Sequence, residues 1–259
     1  MTNKPTNASS HSKDTQVYGI HAVNAVIQDD PGRVRAIYLQ RGRGDRRLQA
    51  VIDAARKAHI RVEVVDKRRL DRLTGGSHQG VAADCHELPL ADEKAFEARF
   101  FELREPRLLL VLDGVTDPRN LGACLRSAEA AGVQAVLLPK RRSAPLNAAA
   151  LKAAAGAADA LFLVQVSNLA RRLAWLRDQG VWVIGAAGAA ETLWLEADFA
   201  GDAALVVGSE GKGLRALTAK TCDQLVRIPM SGAVASLNVS VATGILLFEA
   251  QRQRGLASD

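Results

Sequence analysis

Three short stretches of this chain concentrate the residue types that chemistry needs. The first is Asp113-Gly-Val-Thr-Asp117-Pro118-Arg119-Asn120-Leu-Gly122-Ala-Cys-Leu-Arg126-Ser127-Ala128. Asp117-Pro118 signals a turn. Asn120 stands where a helix should begin and suits its N-cap. Arg126 follows about a turn and a half into that helix. A cation among Ala, Cys and Leu is unusual, and fits either electrostatic work on a ligand or a salt bridge to a neighbouring element. The second stretch is Gly208-Ser209-Glu210-Gly211-Lys212-Gly213. Three glycines around one carboxylate allow tight turns and close approach of backbone to a ligand; a strand-to-helix turn with a capping Glu reads the same way. The third is Ile228-Pro229-Met230-Ser231-Gly232-Ala-Val-Ala-Ser236-Leu237-Asn238-Val239-Ser240. Here Ser236 and Asn238 open the last helix, whose first backbone N–H groups are free.

Each stretch follows a strand candidate. The run 108–112 is continuously apolar, as a strand buried on both faces should be. Further strands are expected at 135–138, 161–166, 181–185, 205–207 and 225–228. Helices are expected at 121–131, 146–154, 169–179, 213–219 and 237–253. This alternation predicts an α/β domain with a parallel sheet covered by helices, over 108–255. Ligands of such sheets bind at the carboxyl ends of strands, where the three stretches fall.

A smaller α/β unit precedes it over 17–86. Helices are expected at 19–27, 46–58 and 67–73, with strands at 34–39, 62–65 and 81–84. The polar residues 1–16 read as a disordered tail without the apolar core of a signal peptide. The charged stretch 87–107, with Pro89 and Pro106, reads as a linker holding one short helix.

Charge separates the two parts. Residues 33–72 hold 13 Lys/Arg against 5 Asp/Glu, whereas 108–259 hold 15 against 13, within a chain of 259 residues and net charge +6. The excess suits either a grip on a polyanion or a solvated basic surface. Aromatic content of 4% argues against a platform that stacks single-stranded bases. Gly208–Gly213 lacks the spacing of a phosphate loop, and Gly185-Ala-Ala-Gly188 is not a dinucleotide fingerprint. Asn7-Ala-Ser9 matches a glycosylation sequon, which carries no meaning without a secretory signal. His21, His59, His78 and His86 lack metal-ligand spacing, so no metal is expected. Cys85, Cys124 and Cys222 are sparse and unpaired, which fits a reducing, cytoplasmic setting. No apolar run reaches membrane-spanning length.

Taken together, the three stretches resemble the SpoU branch of the SPOUT methyltransferases. The first is similar to that family's D-P-x-N-x-G-x-x-x-R motif, the second to its glycine-Glu-glycine motif, and the third to its I-P-M…S-L-N-V-S motif, in family order. Tyr18-Gly-Ile-His21-Ala-Val-Asn24 and Gly76-Ser-His78-Gln79-Gly80-Val81 resemble the two ends of the family's small L30e-like RNA-binding domain. Ser143-Ala-Pro-Leu-Asn147 and the run 239–249 look typical of a bacterial subgroup that methylates a guanosine 2′-hydroxyl in the peptidyl-site loop of 23S rRNA.

The resemblance implies a C-terminal trefoil knot, a homodimer and S-adenosylmethionine as methyl donor. It implies that Gly208, Ile228 and Leu237 hold the donor through backbone groups, with Ala186, Met230 and Asn238 nearby. It places Arg126 at the proton-removal step, with Asn120 orienting Arg126 or the ribose, Glu210 anchoring the loop or the acceptor nucleotide, and Ser236 and Asn238 completing the pocket. Guanidinium groups are essentially never deprotonated in proteins. Arg126 therefore suits stabilisation of a developing alkoxide, with a general-base role open only if a phosphate relays the proton. Arg41, Arg43, Arg46, Arg47, Arg68 and Arg69 would bind RNA backbone and shape. Lys212 stands where relatives often carry an acid. Two rivals remain: the same chemistry on tRNA, disfavoured by the separate first domain, and a knotted RNA-binding protein without activity, disfavoured by the five polar residues.

Overall fold

The computed structural model describes residues 15–43, 46–75 and 78–255. Gly76, Ser77 and the first fourteen residues of the expected tail lie outside them. The chain divides into two compact units, Met1–Leu88 and Pro89–Asp259.

The first unit runs β1 (Thr15–Tyr18), α1 (Ile20–Asp29), β2 (Val34–Gln40), α2 (Arg46–Lys57), β3 (Val62–Val65), α3 (Lys67–Thr74) and β4 (Val81–Cys85). Its sheet has the order β1-β4-β2-β3. The expected tail is corrected at its end: Thr15 and Gln16 pair with Cys85 and Asp84 in an antiparallel ladder. Apolar residues at helical spacing explain α1 and α2, which bury Val23, Val26 and Ile27, and Leu48, Val51 and Ala55. One helix start is built from far away. Gly19 precedes α1 at φ 97° and offers no side chain as a cap, and Gln79 Oε1 accepts from Ile20 N at 3.0 Å instead. Beside it, buried His78 accepts from Gly80 N at Nδ1 (2.9 Å) and places Nε2 3.1 Å from Asp71. Both residues of that motif therefore have structural partners.

The second unit runs α4 (Glu93–Phe100), β5 (Leu108–Asp113), α5 (Pro118–Ala130), β6 (Ala135–Pro139), α6 (Ala148–Ala154), α7 (Ala157–Ala160), β7 (Phe162–Val166), α8 (Leu169–Asp178), β8 (Trp182–Ala186), β9 (Thr192–Leu193), β10 (Ala203–Gly208), α9 (Ala216–Thr221), β11 (Gln224–Arg227) and α10 (Val239–Gln253). Seven strands form one parallel sheet in the order β7-β6-β5-β10-β8-β11-β9. This is the expected α/β architecture. All six residues of β5 and of β10 are buried, as strands covered on both faces require.

The segment 87–107 is more than a linker. Ala91 bridges Val164 at the sheet edge, and Phe96 and Phe100 of α4 lie in the unit's core. Arg172, itself buried, holds α4 to α8 through Glu93 (2.9 Å) and Glu97 (2.8 Å). At the other end of the unit the Arg254 guanidinium donates to the carbonyls of Phe199, Pro106, Arg107 and Gly201, which ties down the chain after α10. Among the described residues, no helix is long and apolar enough to cross a membrane.

Candidate active site

The sheet order decides where a ligand can go. From β5 the chain moves through α5 to β6 on one side; from β10 it moves through α9 towards β11 on the other. The crevice beyond the carboxyl ends of β5 and β10 is thus a topological switch point, the usual ligand position in open α/β sheets. Asp113 and Gly208, which end these two strands, are register partners. The first and second stretches leave from them and must lie side by side.

Asp117, rather than Asn120, caps α5: its carboxylate accepts from the N–H groups of Arg119 (2.7 Å) and Asn120 (3.1 Å), with Pro118 at the first helical position. Asn120 is thereby the third residue of the first turn, and its side chain is free for other work. Its Nδ2 donates to Glu210 Oε1 at 2.7 Å. Asn238 Nδ2 donates to the same oxygen at 2.7 Å and to Asn120 Oδ1 at 3.0 Å. Asn238 is also the N-cap of α10, accepting from Ser240 N at 2.9 Å. The last helix thus begins at Val239, and Ser236 sits in the exposed loop before it. One residue from each stretch meets in this triangle.

Glycines bring the three loops together. Ser209 and Gly213 exchange backbone hydrogen bonds (3.1 and 2.9 Å), closing a tight turn with Glu210 near its tip. A Cβ on Gly208 would stand 2.1 Å from the Gly213 carbonyl carbon, so only glycine fits. Gly122 has a different reason: a Cβ there would stand 2.2 Å from the Ala150 carbonyl oxygen, where α5 and α6 cross. Behind the triangle, α5 packs on α10, with Cys124 Sγ 3.6 Å from Thr243 Oγ1. Burial pushes the Cys124 thiol up to about 11, so it stays protonated.

A cavity of about 450 Å³ opens beside the turn, at the ends of β8, β10 and β11. Ala186, Gly208, Ile228, Met230 and Leu237 line it, together with Glu210, Lys212 and Ser236. Asn238, Asn120 and Arg126 are not among its lining residues. Its volume suits a small organic ligand. The wall 186–189 is Ala-Ala-Gly-Ala, which leaves room for a flat ring. Among the described residues, no backbone hydrogen bond engages 230–237, so their N–H and C=O groups can serve a ligand. No group of three or more His, Cys, Asp and Glu converges as a metal site among the described residues.

Arg126 lies on the exposed side of α5, between buried Leu125 and half-buried Ser127. Among the described residues it makes no ion pair or hydrogen bond, so the salt-bridge alternative has no partner here. Asn120 bonds Glu210 and Asn238 instead of Arg126. One residue of the crevice escaped the sequence reading. Asp113, buried, accepts from Arg215 N at 3.0 Å and pairs with its guanidinium. A carboxylate ending an otherwise apolar strand was the available signal.

In the first unit, Arg43, Arg46 and Arg47 line a common hollow with His21 and Gln79. Arg41 follows β2 and is exposed, while Arg68 and Arg69 stand on α3, where Arg69 lies 5.5 Å from the Tyr38 ring centre and pairs with Glu63. Arg43, Arg46 and Arg47 therefore form one group and Arg68 and Arg69 another, with Arg41 in neither.

Comparison with known proteins finds relatives for both units. The model of the SpoU rRNA Methylase family matches residues 107–248, and that for RNA 2′-O ribose methyltransferase substrate binding matches residues 16–91. The chain is 48% identical over 243 residues to the 23S rRNA (guanosine-2′-O-)-methyltransferase RlmB of Coxiella burnetii, covering 94% of this chain and 97% of that one. It is 50% identical to the RlmB of Yersinia pestis, covering 93% and 98%. The fold matches the SpoU methyltransferase AviRb from Streptomyces viridochromogenes, solved with AdoMet, at a TM-score of 0.79, with 22% identity over 98% of this chain and 95% of that one.

Proposed function

The chain belongs to the SpoU rRNA methylase family, and from that premise we propose how its residues carry out the chemistry. It is an S-adenosylmethionine-dependent methyltransferase that modifies the 2′-hydroxyl of a guanosine in 23S rRNA. The observation that carries this reading is the convergence of three loops at the switch point: one triangle, Asn120–Glu210–Asn238, beside one cavity of cofactor size.

The residues present fit the methyl donor. Backbone groups of Gly208, Ile228 and Leu237 would hold it, with Ala186 and Met230 against its ring and Glu210 at the polar rim. When bound, S-adenosylmethionine supplies a methyl group on an already activated sulfonium. The remaining tasks belong to the protein: to orient the acceptor oxygen in line and to help its proton leave. Arg126, exposed and without an internal partner among the described residues, stabilises the developing alkoxide. Glu210, fixed by two amide donors, sets the turn that borders the cavity. Asn238 joins that turn to the last helix, and Ser236 lines the acceptor side.

Five finer points complete the reading. The acceptor lies in the peptidyl-site loop, a reading that rests on the resemblance of Ser143-Ala-Pro-Leu-Asn147 and the run 239–249 to the bacterial subgroup described above. The two groups of arginines on the first unit grip RNA phosphates, and an rRNA substrate places the work in the cytoplasm. The last segment of the chain is knotted, as its resemblance to the SpoU branch implies. The protein acts as a homodimer, for which exposed Val241 and Phe248, seven residues apart on α10, supply an apolar stripe. The deciding experiment incubates the protein with labelled methyl donor and either 23S rRNA fragments or tRNA, and maps the product by mass. One ribose methyl on a 23S guanosine is the expected product, whereas label on tRNA alone overturns the assignment.

A further inference from the structure

A second basic site lies within the catalytic unit itself. The loop after β6 reads Lys140-Arg141-Arg142, all exposed. It is tied at both ends to the crevice side of the sheet: Lys140 N donates to Val166 O and Ala144 N donates to Val115 O, both at 2.8 Å. Arg142 has a left-handed backbone at φ 61°, which an arginine adopts only when its surroundings impose it. Arg141 and Arg142 face a cavity of about 340 Å³ with Arg215, Ser167 and Asn168, and no carboxylate lines it. Arg215 is fixed in direction by its pair with Asp113 while its side chain stays 43% exposed. Glu93, which accepts from Ser167, is met by Arg171 and Arg172. Leu217, 65% exposed, adds an apolar edge.

The position of this cavity indicates its ligand. Residues 208–214 line the donor pocket, and Arg215, Leu217 and Thr218 line the basic cavity. Gly114 joins the two regions, since a Cβ there would meet the Arg142 carbonyl oxygen at 3.8 Å and Ser209 Cβ at 3.9 Å. A nucleotide whose 2′-oxygen reaches the donor pocket carries phosphates on both sides of that ribose. Arg141 and Arg142, which share a cavity lined by no carboxylate, and Arg215, oriented by Asp113 but still 43% exposed, match phosphate charge.

We propose that Arg141, Arg142 and Arg215 form a subsite of the catalytic unit for the RNA phosphates flanking the methylated ribose, separate from the arginines of the first unit. The inference rests on the function proposed above. It assigns the basic loop the task of seating the acceptor strand, and the first unit that of holding the rest of the substrate.

The test uses the full-length protein in two forms. One carries Arg141→Gln with Arg142→Gly, because glycine accepts the left-handed backbone. The other carries Arg141→Glu with Arg142→Glu. RNA affinity is measured against salt concentration, methyl transfer under saturating donor, and donor affinity by calorimetry. The neutral form should bind rRNA about tenfold more weakly near 100 mM salt, with a log–log salt slope shallower by about one to two, one phosphate contact each. Its KM for rRNA should rise while kcat and donor affinity stay within about twofold of wild type, and the charge-reversed form should lose more RNA affinity. Wild-type affinity and slope in both forms would overturn the subsite, as would a parallel loss of donor binding, which would make the loop part of the donor pocket. Wild-type protein inactive on 23S rRNA would remove the functional premise and the subsite together; active wild type with unchanged variants removes the subsite alone.

Discussion

Asn238 reaches Asn120 across 118 positions of chain, Nδ2 to Oδ1 at 3.0 Å, and both amides donate to one oxygen of Glu210. Two amide donors on one oxygen require an acceptor at that point, and Glu210 Oε1 supplies it. The Asn238 oxygen is spent on Ser240, so the network itself decides which way that amide points.

Replacing Asn238 by Asp keeps the cap of α10 but sets a second carboxylate against Glu210. Methyl transfer should fall at least about tenfold, and stability by about 1 kcal/mol, the scale of one such hydrogen bond. Adding Glu210→Gln should restore most of the lost stability without restoring activity. A double-mutant cycle by denaturant unfolding, with initial rates alongside, reads both; additive losses of stability would mean that the two residues do not interact.

The two motif glycines should fail in different ways. Gly122→Ala forces a Cβ into the α5–α6 crossing and should cost about 1–3 kcal/mol, the range of an overpacked core. Gly208→Ala pushes on the 208–213 turn and should weaken donor affinity by about tenfold or more, a change of about 1.4 kcal/mol in binding. Calorimetric titration of each variant with S-adenosylmethionine, paired with its melting curve, separates the two outcomes.

Arg126 is exposed, so Arg126→Ala should leave stability within about 0.5 kcal/mol of wild type. Donor affinity should also hold, while transfer drops about 100-fold or more, as for one removed electrostatic donor. Single-turnover assays of the folded variant check this, and near-normal turnover would sink the role.

Acid should loosen the contact between α4 and α8. Burial pushes the Glu93 carboxyl up, but hydrogen bonds from the Ser167 side chain and backbone and from Arg172 outweigh it and hold the group at about 2, against an ordinary value of 4.5. A carboxyl depressed in this way stabilises the fold fully above pH 4.5, and the contribution is lost as pH falls towards 2. Glu93→Gln should therefore cost on the order of 2 kcal/mol at neutral pH and flatten the pH dependence of stability in that window. Urea melts from pH 7 to pH 3 give the comparison; parallel curves for the two proteins would exclude Glu93 as the source.

The central strands were legible because each is a short apolar run between turn residues, and β3 (Val62–Val65) was expected at its observed bounds. β1 was not, since Thr15-Gln-Val-Tyr18 has one fully buried residue and its partner β4 lies far along the chain. Charges in 87–107 hid Phe96 and Phe100, the two residues by which α4 enters the core. The cap of α5 could have been read correctly, because Pro118 belongs at a first helical position and points to Asp117 before it. The triangle could not be read from spacing, since no local pattern encodes contacts 90 and 118 positions apart. Motif resemblance grouped its residues; the coordinates supply their bonding.

The place of β10 also bears on how the protein must be made. β10 pairs with β5 on one side and β8 on the other, so a nascent chain that has emerged only through β8 carries two apolar strands with open edges facing each other. Such edges invite pairing with other chains. The interval between synthesis of Ala186 and of Gly208 is then a window in which translational pausing would favour aggregation, and the same late strand that seals the sheet delivers Glu210 to the site.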